Sequence, residues 1–266
     1  MRKPRKAQRL PPVRPNLGVE YAYQRRIDAL LSKMAEAVHM TVMAVWRRKP
    51  PEMLATDESP ASALKDAIDK LSREWEGRFD TFAREWGRKF SHDTIDHADR
   101  SFASHLRNAG FTVKFQMGRA ANDILQATIH ENVALIKSIP SEYFTQVEGI
   151  VMRGVTAGRD MHIITEELTK QLGVGQRRAE IIARDQSNKA TAAITRARQS
   201  EVGIVEAEWL HSRGGRHPRR SHLVNDGKRY NVKTGWFDPD EKQWIWPGTL
   251  INCRCVTASI IPGLDD

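Results

Sequence analysis

The sequence predicts an α+β protein: a mainly helical N-terminal region, then a module in which a long helix packs on a small antiparallel sheet. Three observations predict it. Apolar residues recur every three or four positions from Tyr21 to about Ser200, which is helical spacing. After Gly203 the period drops to two. Both cysteines and four of the seven tryptophans then fall in the last quarter, among glycine and proline turn signals.

The 266 residues suffice for one large domain or two modest ones. With 40% hydrophobic and 28% charged residues the chain is globular but offers limited apolar face per helix. No apolar run approaches bilayer length, and the N-terminus lacks the apolar core of a secretion signal. The expected protein is soluble, made in a cytoplasm, with no membrane partner. A net charge of +9 favours a polyanionic neighbour, most often nucleic acid.

The elements follow in order. Residues 1–18 carry Arg2, Lys3, Arg5, Lys6, Arg9 and Arg14 among four prolines, an arm that cannot build a core and is expected to be disordered on its own. A helical region, 19–158, begins with Tyr21 to Lys49, whose stripe is Ile27, Leu30, Leu31, Met34, Val38 and Val42. Pro50 and Pro51 stop it, and a loop runs to Pro60. Ser62 to Phe90 repeats Leu64, Ile68, Leu71, Trp75, Phe79, Phe82 and Trp86, an aromatic stripe read as core. Ser91 is placed as the N-cap of the next helix, closed by Gly110. An extended piece, Phe111 to Phe115, precedes a helix from Gly118 to Lys137. Pro140 is expected to open another that ends near Gly158.

The C-terminal module is assigned to 159–262. Thr165 to Val174 resembles the first half of a helix-turn-helix, with Gly173 to Gly175 as the turn and Arg177 and Arg178 on a recognition helix. Two helices meeting at glycine are common, so this reading ranks behind the others. Val205, Ala207 and Trp209 alternate with Glu206 and Glu208 as a half-buried strand. Lys228 to Lys233 makes a second strand after the Asn225-Asp226-Gly227 turn, and Cys253 to Ser259 a third.

Candidate chemistry concentrates here. Cys253 and Cys255 alternate onto one face of an extended chain and sit near the upper limit for a disulfide. They make half of a zinc site that His211, His217 or His222 would complete. Zinc pairs, however, usually leave roughly two to four residues between cysteines. The preferred reading is two small buried thiols in a reducing compartment, with no metal and no cofactor assigned. Ser221-His222 and Asp226 offer acid–base parts beside Arg213, Arg216, Arg219 and Arg220, which would clamp phosphate in a nuclease. The carboxylate cluster of a two-metal nuclease is missing, so a turn and a solvated basic loop are preferred over catalysis. Trp236, Trp244 and Trp246 are read as cover for the small sheet or as a partner anchor rather than a base-stacking platform.

Taken together, Arg184 with Asp185-Gln186, Trp209, Ser221-His222, Asp226-Gly227 and Asn252-Cys253-Arg254-Cys255 resemble the phage Mu F-like head morphogenesis family, or minor head proteins. The resemblance covers about Asp160 to Pro262. It implies a non-enzymatic virion protein near the portal vertex, assembled in host cytoplasm. Its implied partners are the portal, other head proteins and double-stranded DNA. The charge distribution, not the resemblance, assigns a DNA contact without sequence preference to Arg2, Lys3, Arg5, Lys6, Arg9, Arg213, Arg216, Arg219 and Arg220. The helical region would then dock on the portal or lie inside the head. The resemblance leaves the oligomeric state open, and the matched residues are a scaffold motif with no agreed chemistry. Departures are Asp185-Gln186 in place of threonine-glutamate, and a basic loop after His211 where relatives carry an acidic turn.

Overall fold

In the computed structural model, residues 7–48, 60–157, 161–215 and 217–262 are described. Their elements run β1 (Gln8–Arg9), α1 (Leu17–Arg48), α2 (Pro60–Asn108), α3 (Arg119–Thr156), α4 (Met161–Glu201), β2 (Glu206–Leu210), α5 (Arg220–Val224), β3 (Arg229–Asn231), β4 (Trp236–Asp238), β5 (Gln243–Ile245) and β6 (Val256–Ile261). The α+β class holds. No described helix is long and apolar enough to cross a membrane.

The helices are fewer and longer than expected. Ser91 is not an N-cap: it lies buried inside α2. The stripe of Phe90, Ile95, Ala98, Phe102 and Leu106 continues the preceding period past Gly87, with no proline to end it. Nearby, the Thr94 hydroxyl donates back to the Phe90 carbonyl (2.8 Å), the mid-helix habit of such residues. Pro140 likewise sits within α3, although an internal proline costs about 3 kcal/mol. Ile136, Ile139, Tyr143 and Phe144 are buried on both sides of it, and their packing carries the helix through. Phe111 to Phe115 pairs with no strand, and Phe115 stacks on Phe102. The loop expected before Pro60 lies outside the described residues.

The helix-turn-helix is overturned. Gly173, Val174 and Gly175 are in the middle of the continuous α4. Gly175 is buried, and a Cβ there would meet Leu31 and Tyr143 at 3.4 and 3.7 Å, so close packing holds the helix where propensity alone would bend it.

Two compact units divide the chain, and each is discontinuous. One comprises Tyr21–Arg88 and His130–Ala183; the other comprises Met1–Glu20, Lys89–Ile129 and Arg184–Asp266. This division differs from the boundary expected near residue 159, because each long helix serves more than one compact unit. In the first unit every described element is a helix. Its core takes Ile27, Leu31, Met34 and Val38 from α1, Phe79 and Ala83 from α2, Ile136 and Val147 from α3, and Ile164 and Ala179 from α4. Ion pairs Lys65–Glu148, Lys137–Asp80 and Arg178–Glu142 join its helices.

The second unit holds an antiparallel sheet in the order β1-β6-β2-β3. Central β6 is buried along its whole length, whereas β2 alternates, with Ala207 and Trp209 inward. The third strand thus starts at Val256, three residues later than expected. Gln199 Nε2 of α4 donates to Ser259 Oγ (2.8 Å), fixing the helix to that central strand. From Gln8 on, the segment expected to be disordered on its own is held by the rest of the chain, while residues 1–6 lie outside the described residues. Gln8 and Arg9 pair with Ile261 and Ile260, Leu10 and Val13 are buried, and α1 starts at Leu17. Two apolar residues and an unpaired edge of β6 suffice to order a segment whose own composition could not. A separate β4–β5 hairpin lies between β3 and β6.

Candidate functional site

The site forms where three segments between the strands converge. The chain leaves β2 through 211–219, makes the single turn α5, and enters β3 through Asn225 to Gly227, where Gly227 has φ +78°. Gly227 N–H donates to the Trp209 carbonyl (2.8 Å) and Trp209 N–H to that of Lys228 (2.9 Å), so the turn is stitched to β2. The second segment is the Trp236 to Asp238 strand. The third is the loop from Trp246 to Cys255, which Gly248 seats. Its φ is +85°, and an added Cβ would lie 3.0 Å from Ala192 Cβ and 3.2 Å from the Cys255 carbonyl.

Asn252 adopts φ +58°, and its N–H donates to Asp185 Oδ1 (2.6 Å), which pins the Asn252–Cys255 segment to α4. Asp185, one of the departures from the family pattern, thereby serves as the anchor of the motif. Arg184 precedes it on α4, and its carbonyl accepts from Asn188 Nδ2 (2.9 Å). Arg254 turns the other way and donates to the Gly214 carbonyl (3.0 Å), holding the basic loop.

Three motif side chains meet in the interior. His222 Nδ1 lies 3.5 Å from Cys253 Sγ and 3.6 Å from Cys255 Sγ, and all three residues are buried. The cysteines are free thiols. The His222 ring packs edge-on against Trp209 with centroids 5.0 Å apart, and Trp209 against Tyr230 at 6.1 Å. Gly248 N–H points at Cys253 Sγ (3.4 Å). The two thiols split: a hydrogen bond from Cys255, with help from His222, lowers Cys253, while the same shared proton and burial push Cys255 up. Among the described residues, His222, Cys253 and Cys255 form the group of side chains close enough to share a metal ion.

Asp238 was not singled out in the sequence, yet it supports this cluster. It is fully buried, its Oδ2 accepts from Ser221 Oγ (2.8 Å) and stands 3.8 Å from His222 Nε2. Its Oδ1 accepts from the N–H groups of Asp240 and Glu241. Burial acts to raise its carboxyl, but those hydrogen bonds and the nearby imidazole bring it below the ordinary range. The signal available in the sequence was Asp238-Pro239-Asp240-Glu241, an aspartate-led turn.

The acid–base pair does not assemble as a catalytic dyad. Asp226 spends Oδ1 on His211 N–H (2.9 Å) and Oδ2 on Arg213 (3.0 Å), while His222 faces the sulfurs and Asp238. Of the cations assigned to phosphate, Arg9 pairs with Glu208 and Arg219 with Glu241, and Arg220 is exposed. Arg2, Lys3, Arg5, Lys6 and Arg216 lie outside the described residues. Trp246 acts as cover, donating Nε1–H to the Val232 carbonyl (2.8 Å) under Arg196 (4.0 Å from its ring). Trp236 lies under Lys228, and Trp244 stays exposed beside Phe237.

Residues 145–258 match the family model for phage Mu protein F like protein, a span that contains the whole cluster from Arg184 to Cys255. This region belongs to the phage Mu F-like family. The family is one of phage head morphogenesis. An uncharacterized protein of Haemophilus influenzae (strain Rd) is 35% identical over 180 residues, taking in 65% of this chain and 37% of that protein. The chain therefore spans little more than a third of that relative. No solved structure matches. The Mu F-like region begins within α3 and extends into β6, so it includes the end of the helical unit as well as β2, β3 and the start of β6, but not β1.

Proposed function

We propose that the protein is a minor head protein that joins the head during assembly, binds the portal and other head proteins, and contacts genomic DNA without sequence preference. It would reside in the virion, at the portal vertex or head interior, after assembly in host cytoplasm. The observation that carries this reading is the family match over the entire motif. The way the motif is spent supports binding over turnover. Asn252, Arg254, Ser221, Asp226 and Trp209 all engage neighbouring chain, which suits a scaffold. The +9 net charge suits a polyanion, whose contacts release counterions and weaken with salt.

The test is co-expression with the cognate portal, followed by particle purification, with a parallel gel shift on supercoiled plasmid at low and high salt. Co-purification with portal and a salt-sensitive shift of intact plasmid are expected. Failure to associate with portal or assembling heads would overturn the reading. Nicking that disappears in His222→Ala would replace it with a nuclease.

A further inference from the structure

We propose that His222, Cys253 and Cys255 bind one zinc ion, holding α5 to the Cys253–Cys255 segment in front of the sheet. Zinc takes sulfur at about 2.3 Å and imidazole nitrogen at about 2.0 Å in a tetrahedron, which sets the nitrogen–sulfur edge near about 3.6 Å. The edges from His222 Nδ1 to the two sulfurs are 3.5 and 3.6 Å, and all three ligand atoms fall within 4.8 Å of one another. The single residue between the cysteines is no obstacle. Cys253 and Cys255, just before β6, both bring their sulfurs to His222 Nδ1, and the histidine arrives from a different segment.

The surroundings are those of a ligand set. With Nδ1 toward the sulfurs, the ring presents Nε2 to Asp238. That nitrogen is buried without a hydrogen-bond partner, and the Asp238 carboxylate stands 3.8 Å away. A histidine that ligates through one nitrogen and faces a carboxylate with the other is the usual outer arrangement of a metal site. A small advance of the ring would close that hydrogen bond. Ser221 and the backbone of Asp240 and Glu241 hold the carboxylate in place. On the sulfur side, Gly248 N–H points at Cys253, as suits a thiolate, and Asp185 fixes the chain at Asn252.

A cavity of about 50 Å³ beside the cluster is lined by His211, His217 and Arg219 as well as the three ligands. It has room for a water, whose share of liquid volume is about 30 Å³, as the fourth ligand. Two thiolates and an imidazole, with no carboxylate of the described residues in the group, select zinc over magnesium or calcium.

The test uses the full chain, reduced, reconstituted with zinc and dialysed. Elemental analysis is expected to give one zinc per chain, lost in Cys253→Ser, Cys255→Ser and His222→Ala. Cobalt(II) added to the wild-type chain is expected to show sulfur-to-metal charge transfer, a readout that does not depend on a variant folding. Asp238→Asn is expected to weaken zinc binding 10- to 100-fold. Absence of stoichiometric zinc in the wild-type chain, absence of the cobalt band, or equal zinc in the Cys253→Ser protein would overturn the site. Unchanged affinity in Asp238→Asn would remove Asp238 from it.

Discussion

Asp226 shows how one carboxylate can set a loop. Its oxygens receive the His211 N–H and the Arg213 guanidinium, and these, the backbone bond first, hold its carboxyl below the ordinary range. The folded chain therefore binds this proton less readily than the unfolded chain. The resulting stability is present above the unfolded value, about 3.9, and is lost as pH falls through the lower folded value. Asp226→Asn keeps an acceptor for His211 but drops the charge, so it should cost about 1 kcal/mol at neutral pH. Thermal melts at pH 7 and pH 3 check this: the gap between variant and wild type should shrink in acid. A gap of constant size would mean that the charge contributes nothing.

At the scale of elements, the join between α4 and α2 rests on a buried cation. Arg198 is 3% exposed, makes a bidentate pair with Asp99 (2.9 and 2.7 Å), and also donates to Glu201 and the Gln116 carbonyl. Without Asp99 the buried cation keeps the half-exposed Glu201 as a weaker, screened partner, so Asp99→Ala should cost about 3 kcal/mol in denaturant unfolding. The double variant Asp99→Leu, Arg198→Met should recover much of that, since a packed apolar pair avoids the stranded charge. A double variant as unstable as Asp99→Ala would show that the cost is lost shape, not charge. Neither residue stood out in the sequence, because an arginine and an aspartate 99 positions apart carry no local pattern. The same distinction separates what was legible from what was not. The α1 stripe and the alternation at Val205–Trp209 are local periodicities and appear as α1 and β2. Ser91, Pro140 and Gly173–Gly175 carry local helix-boundary signals that packing overrides. β1 depends wholly on β6, some 250 residues away. For the site, the motif residues were legible as types, but the meeting of His222 with both cysteines needs the turn after β2, and Asp238 needs the hairpin.

For the whole molecule, the open matter is whether its positive charge reaches DNA through the N-terminus. The structure fixes where that can be tested. Leu10 and Val13 belong to the core and Gln8–Arg9 to the sheet, so a deletion reaching them would disturb β6 and confuse lost binding with lost fold. Deleting residues 1–6 avoids this and removes Arg2, Lys3, Arg5 and Lys6. If all four meet phosphates, the slope of log K against log salt should become shallower by about 3.6, since each contact contributes about 0.9 on duplex DNA. The loss should not depend on sequence, because phosphate contacts carry none. Titrations of plasmid fragments at several salt concentrations measure it, and an unchanged melting temperature confirms that the sheet is intact. A slope equal to that of the full chain would assign residues 1–6 to a protein partner. Portal association should then fall in the same deletion, whereas a DNA arm would leave it untouched.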